Sequence, residues 1–91
     1  MAKHRTFEQQ VRWFLRRIKY IDNGCWQWTG FVGPNGYGQF QNGLVHRWAF
    51  NAFGGTLAKG LTIDHLCRNR SCANPVHMEQ VTGKENILRG N

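Results

Sequence analysis

The chain has 91 residues, with 12 Lys and Arg against 5 Asp and Glu, a formal net charge of +7 and a pI near 10.0. That length makes one small domain with a modest core, of a size that often needs a disulfide or metal staple. A composition 41% hydrophobic and 13% aromatic, with four Trp, excludes a disordered basic tail. No apolar run approaches the roughly 20 residues of a membrane span, and no apolar h-region follows the basic start Met1–Arg5, so neither a transmembrane helix nor a secretory signal is expected.

Residues 6–19 predict a helix. Thr6 can cap it, with Gln9 as its capping-box partner. Phe7, Val11, Phe14, Leu15 and Ile18 fall on one face. Arg5, Arg12, Arg16 and Lys19 lie mostly on another, with Arg17 nearby. Residues 1–20 hold six basic residues and one acid, Glu8, and so carry five of the seven net charges. A charge this one-sided reads as a basic amphipathic helix for phosphate contact, rather than a merely solvated face, and names nucleic acid as the expected partner. Asp22-Asn23-Gly24 is a turn, and Cys25–Thr29 alternates like a short strand. A turn at Gly33–Gly36 precedes a second strand at Tyr37–Phe40, and Asn42-Gly43 signals a hairpin. Leu44 to Phe53 has helical spacing (Val45, Trp48, Ala49, Ala52, Phe53) and a stop at Gly54-Gly55. Trp26, Trp28, Trp48 and Phe50 are expected in the core. Leu61–His65 reads as a strand, 66–77 as a Cys-rich loop and Met78–Val81 as a returning strand. Thr82-Gly83-Lys84-Glu85 then forms a capping box that opens a helix carrying Asn86, Ile87 and Leu88.

Three cysteines without a signal sequence argue against a disulfide framework. Cys67-x4-Cys72-x4-His77, with Cys25 upstream, leaves two readings open on spacing alone. One is a set of small buried hydrophobes; the other is a closed Cys₃His zinc site. Asp64-His65 ends a strand, and Asn86 lies early in the following helix. In a strand–strand–helix unit the helix packs on the hairpin. The Asp64 carboxylate and Asn86 amide oxygen can then share a hard cation such as Mg²⁺, with His65 beside it as a general base. Singly, such residues are more often surface turns and hydrogen-bonding groups.

The run Asp64-His65-Leu66-Cys67-Arg68-Asn69-Arg70-Ser71-Cys72-Ala73-Asn74-Pro75-Val76-His77-Met78-Glu79, followed by Glu85-Asn86, resembles the HNH endonucleases of the His-Me finger (ββα-metal) superfamily. It is most similar to the zinc-stapled branch of phage HNH proteins and His-Cys box homing endonucleases. Cys25–Gly30, Gly36-Tyr37-Gly38 and His46-Arg47 resemble that branch too, so the likeness runs over about residues 25–89. The resemblance implies an α+β fold: a small ββα-metal domain with an N-terminal basic helix, a short β-hairpin and a structural zinc site. It implies one nuclease domain over 1–91, made of the basic helix (1–20), a hairpin and helix (25–60) and the ββα-metal motif (61–90).

Carried over by residue, His65 is the general base, and Asp64 and Asn86 hold the catalytic Mg²⁺ or another divalent cation. Asn74 holds the loop or orients His65, and Arg47 meets the scissile phosphate. Cys25, Cys67, Cys72 and His77 take structural Zn²⁺. Arg68 and Arg70 join Arg5, Arg12, Arg16, Arg17 and Lys19 as DNA contacts. The implied activity is metal-dependent cleavage or nicking of double-stranded DNA, leaving 5′-phosphate and 3′-OH ends, in the cytoplasm of a bacterium or phage-infected host and with no membrane partner. Both a monomer and a homodimer remain open. His-Cys box enzymes carry a second zinc cluster and a dimer-exchanging tail. No Cys follows Cys72, so neither is expected. The alternative is a non-catalytic zinc-stabilised DNA-binding module, which would not need Asp64, His65 and Asn86 together. A third reading, an RNA-binding zinc protein, would need exposed aromatics for base stacking.

Overall fold

The computed structural model describes residues 5–90; the part of the basic segment at 1–4, Lys3 included, lies outside the described residues. Helix α1 (Phe7–Arg16) begins on Thr6, whose hydroxyl accepts the Gln9 N–H while the Gln9 side chain accepts the Thr6 N–H. The expected helix over 6–19 is too long. The Arg17 carbonyl accepts both the backbone N–H and the hydroxyl of Thr29, which draws the chain out of the helical path. Ile18–Tyr20 then forms strand β1, antiparallel to β2 (Trp26–Trp28). Ile18 suits either reading, because it packs on the core from a strand as it would have from a helix.

Strands β3 (Gln39–Phe40) and β4 (Gly43–Leu44) form a second hairpin, where the sequence pointed to one hairpin in this stretch. Its two-residue turn is Gln41-Asn42, at φ 56 and 61°, one residue ahead of the Asn-Gly signal. Both residues are left-handed, as the mirror-image turn of a tight hairpin requires. Helix α2 (Val45–Ala49) widens into a π-turn over Phe50–Gly54. The extra residue per turn re-aims the aromatics. Phe50 is buried with Ile63 and Met78, while Phe53 stays partly exposed beside Phe14.

The last third follows expectation closely. Strands β5 (Thr62–His65) and β6 (Met78–Val81) pair antiparallel, with Asp64 opposite Glu79 and His65 opposite Met78. Helix α3 (Gly83–Leu88) packs on β5. Half of its capping box forms: the Thr82 hydroxyl accepts the Glu85 N–H. The Glu85 carboxylate binds Arg89 instead. Ile87 and Leu88 are exposed.

Two small cores result. The larger is aromatic and centred on Phe14, with the rings of Trp48, Phe53, Trp28, Phe40 and Trp26 at 4.9–6.3 Å. Trp28 and Phe50 are buried as expected, while Trp26 and Trp48 are partly buried against the cluster. The smaller core, of Phe50, Ile63 and Met78, underlies the β5–β6 hairpin. Trp28 is gripped at close range: a methyl group on Gly38 would stand 2.4 Å from its Cδ1 and 2.7 Å from Val45 Cγ1. Gly38→Ala should therefore cost about 1–3 kcal/mol by overpacking, a fall in Tm of roughly 5–20 °C for a domain this size. Gly83→Ala, which meets nothing within 4 Å, should leave the melt unchanged or raise it. Equal melts by circular dichroism for the two variants would refute the tight packing.

Candidate functional site

Two centres meet on the loop between β5 and β6. The first gathers the four residues singled out for metal. The ligand atoms of Cys25, Cys67, Cys72 and His77 all lie within 4.8 Å of one another. His77 Nδ1 is 3.5 Å from Cys25 Sγ and 3.7 Å from Cys72 Sγ. A tetrahedral zinc, with bonds of about 2.3 Å to sulfur and 2.0–2.1 Å to nitrogen, has an S···N edge of roughly 3.5 Å, so the donor set and its spacing fit Zn²⁺. These four are positioned to bind a metal, and burial makes the thiols poor acids without one. The Cys72 thiol is pushed up to about 12, chiefly by burial, and Cys67 is raised for the same reason. A divalent cation reverses that preference by binding the thiolates.

The surroundings are built for this centre. Gly24, at φ +88°, closes the turn ahead of Cys25, and a Cβ there would stand 3.2 Å from His77 Nε2. The Asn74 side chain donates to the Gly24 carbonyl at 2.7 Å and accepts from the Val76 N–H, while the Asn74 N–H points at Cys72 Sγ. Its hydrogen bonds thus tie Asn74 to the turn before Cys25 and to the loop that carries Cys72 and His77. The polar stretch Arg68–Ser71 has a second source of order that the sequence did not reveal. Gln27 on β2 bonds both Asn69 and Ser71, and residues 71–73 lie along β2 through the Trp28 N–H to Ser71 carbonyl and Ala73 N–H to Trp26 carbonyl bonds.

The second centre lies at the end of β5. Asp64 and His65 are both buried, and Asn86 projects from α3, which packs on that strand. Among the described residues, four buried side-chain atoms lack a hydrogen-bond partner: Asp64 Oδ1, His65 Nε2, Asn86 Oδ1 and His46 Nδ1. An unmet buried polar atom costs about 1–3 kcal/mol, so a set like this calls for a partner that the protein's own groups do not supply. Two oxygens of this type, one charged and one neutral, fit a hard divalent cation. The other oxygen of Asp64 is held by Arg89, whose guanidinium also binds Glu79 and Glu85. That one residue ties α3 to both strands of the hairpin. Sequence reasoning passed over it; the available signal was a cation four residues after Glu85 and facing the Asp64–Glu79 pair.

His65 is flanked by His46, at 4.8 Å between ring centroids, and Tyr37, at 6.1 Å. Burial lowers the His65 pKa most; a hydrogen bond to the Cys72 backbone and the Asp64 charge pull it up. The Cys72 backbone, in the metal loop, is thus among the groups that act on the ring. His46 is pushed from 6.5 to about 3 by burial, then by His65 and Arg47. Both histidines are neutral when folded and gain a proton more readily when unfolded. Their contribution to stability is full above about pH 6.5 and is lost as pH falls towards 3, at up to about 1.4 kcal/mol per pH unit for His46. Thermal melts should show a falling Tm below pH 6.5, and His46→Leu should fall less steeply than wild type. An equal slope would contradict a buried neutral His46.

The remaining sequence-marked residues are spread around these centres. Arg47 is exposed on α2 beside His46. Arg68 and Arg70 sit between the metal ligands; Arg70 donates to the Asn35 carbonyl and lies 5.3 Å above the Tyr37 ring. Arg12 pairs with Glu8, Arg16 is exposed in the last turn of α1, and Lys19 is exposed on β1, not on the helix. Arg5 and Arg17 each lie against the Trp13 ring.

A family model described as HNH endonuclease matches residues 43–88. The chain is 42% identical over 78 residues to Protein 2.8 of Escherichia phage T7, covering 79% of this chain and 52% of that protein. It is 30% identical over 60 residues to the uncharacterized gene 5.3 protein of Enterobacteria phage T3 (66% of this chain, 59% of the relative). Over 66 residues it is 35% identical to Protein 7.7 of phage T7 (68% and 51%). The chain thus spans about half the length of the curated relatives it matches. No solved structure matches it.

Proposed function

Since the chain belongs to the HNH endonuclease family, we propose that it is a metal-dependent DNA endonuclease that hydrolyses one phosphodiester bond of duplex DNA to 5′-phosphate and 3′-OH ends. The observation that carries this reading is the unpartnered trio Asp64 Oδ1, His65 Nε2 and Asn86 Oδ1 on one strand–strand–helix unit. Asp64 and Asn86 hold the catalytic cation, Mg²⁺ in the first instance. When bound, that ion supplies Lewis-acid stabilisation of charge on the leaving oxygen. His65, neutral near pH 7, accepts through Nε2 the proton of the attacking water. The water oxygen bonds phosphorus, and the 3′ oxygen leaves with its electron pair and takes a proton from solvent. Exposed Arg47 meets the scissile phosphate. Asn74 is a positioning residue, acting through the loop that it braces.

Cys25, Cys67, Cys72 and His77 hold structural Zn²⁺. Arg5, Arg16, Arg17, Lys19, Arg68 and Arg70 contact the phosphate backbone, and Arg12 shares its charge with Glu8. Residues 1–91 act as a single nuclease domain with one active site, which cuts one strand; a double-strand break takes a second event or a second copy. Phage relatives support a place of action in an infected host cell. No helix among the described residues is long and apolar enough to cross a membrane.

The test is nicking of supercoiled plasmid by zinc-loaded protein dialysed free of other divalent ions, with Mg²⁺ or Mn²⁺ restored, followed by mapping of the ends. Restored nicking with 5′-phosphate ends is expected. Tight DNA binding without any metal-dependent nicking would instead identify a zinc-stabilised binding module.

A further inference from the structure

A cleft of about 380 Å³ opens beside α1, away from the residues assigned to chemistry, and Arg5, Trp13, Arg17, Phe31, Gln39 and Asn42 line it. Its volume is that of a small-ligand pocket and far below what a duplex would occupy. No acidic residue lines it. The Arg5 guanidinium carbon lies 3.9 Å, and that of Arg17 4.7 Å, from the centroid of the Trp13 ring. Arg17 also donates to the Trp13 carbonyl. One indole therefore contacts both guanidiniums, and neither belongs to an ion pair among the described residues. Two unneutralised guanidiniums lining one cleft suit a phosphate.

The other wall is aromatic. Phe31 is 67% exposed, yet its backbone is pinned: its carbonyl accepts from the Trp28 indole at 3.1 Å and from the Gln39 N–H at 2.9 Å. An exposed ring on a fixed backbone loses little freedom when a planar group stacks on it. Gln39 and Asn42 bring amide donors and acceptors to the same cleft.

We propose that this cleft holds one unpaired nucleotide of the DNA substrate, with its phosphate on Arg5 and Arg17, its base against Phe31 and its base edge towards Gln39 and Asn42. A base in duplex already has both faces stacked, so only an unpaired one can lie on Phe31. The chain thereby favours DNA carrying a single-stranded arm or gap. This inference rests on the DNA-cleaving reading for the identity of the polymer, and its test reads binding alone.

The test measures the Kd of the zinc-loaded full chain by fluorescence anisotropy, without added Mg²⁺. The probes are a short blunt duplex, the same duplex with a short single-stranded DNA arm, and the same duplex with an RNA arm. The DNA arm should tighten binding about tenfold to a hundredfold. Phe31→Ala should abolish that advantage while leaving blunt-duplex affinity and Tm unchanged, and Phe31→Trp should keep it. No advantage in wild type, or an advantage that survives Phe31→Ala, overturns the proposal. A preference for the RNA arm overturns the assignment to DNA. A chain that binds the arm but never nicks plasmid sinks the nuclease reading and leaves this one standing; one that nicks but ignores the arm does the reverse.

Discussion

Replacing His65 by Ala is expected to lower plasmid nicking by about 10²–10⁴-fold, the usual contribution of a positioned general base, with little change in DNA affinity or metal content. Three features set that size. The Nε2 atom is buried and unpartnered, so it is not engaged in holding the fold. Burial keeps the ring neutral at working pH, the form that accepts a proton. The ring also packs against His46 and Tyr37, at 4.8 and 6.1 Å between centroids, which holds its plane. The control is Arg47→Ala, whose exposed side chain should act on the bound phosphate and not on the pH profile. Nicking by His65→Ala at the wild-type rate would remove His65 from the mechanism, whatever the fate of the metal assignments.

Replacing Cys72 by Ser should have the largest effect on the fold itself. Structural zinc in small modules is worth an apparent 10–16 kcal/mol at neutral pH, against a typical total stability of 5–15 kcal/mol. The β5–β6 hairpin rests on a small core of Phe50, Ile63 and Met78, with Val81 also buried on β6, so little else can replace the metal. The Cys72→Ser chain should purify without stoichiometric zinc and show no cooperative melt above room temperature. Wild type stripped by a strong chelator should behave alike and recover when zinc is returned. A Cys72→Ser protein that lost its zinc and kept its Tm would show the cluster to be ornamental to folding.

The parts of this molecule legible in the sequence are those where local chemistry and tertiary packing agree. Met78–Val81 alternates and is a strand; Thr82 caps α3; the Cys-x4-Cys-x4-His spacing closes on one point. The parts that misled are those where one pattern serves two structures. Ile18 is apolar at both a helical and an alternating position, and the deciding contact, Thr29 on the Arg17 carbonyl, lies twelve residues away. The π-turn at Phe50–Gly54 shifts a helical register that the sequence could only extrapolate. The site shows the same division. Asp64, His65 and Asn86 could be singled out because they belong to a motif, and the fold leaves an unpartnered atom on each. Arg89, His46 and the Trp13 clamp were not, because each acquires its meaning from partners that only the fold brings near.

Cys72 bears on two centres at once: its sulfur belongs to the metal cluster, and its backbone is among the groups that act on the His65 ring. On the proposed reading, this makes metal capture an arming step. The loop behind His65 is complete only when zinc has closed it, so on that reading catalytic competence arrives with the finished fold. Half-folded molecules would then leave DNA uncut, and the safeguard is the same loop that lies behind the active site.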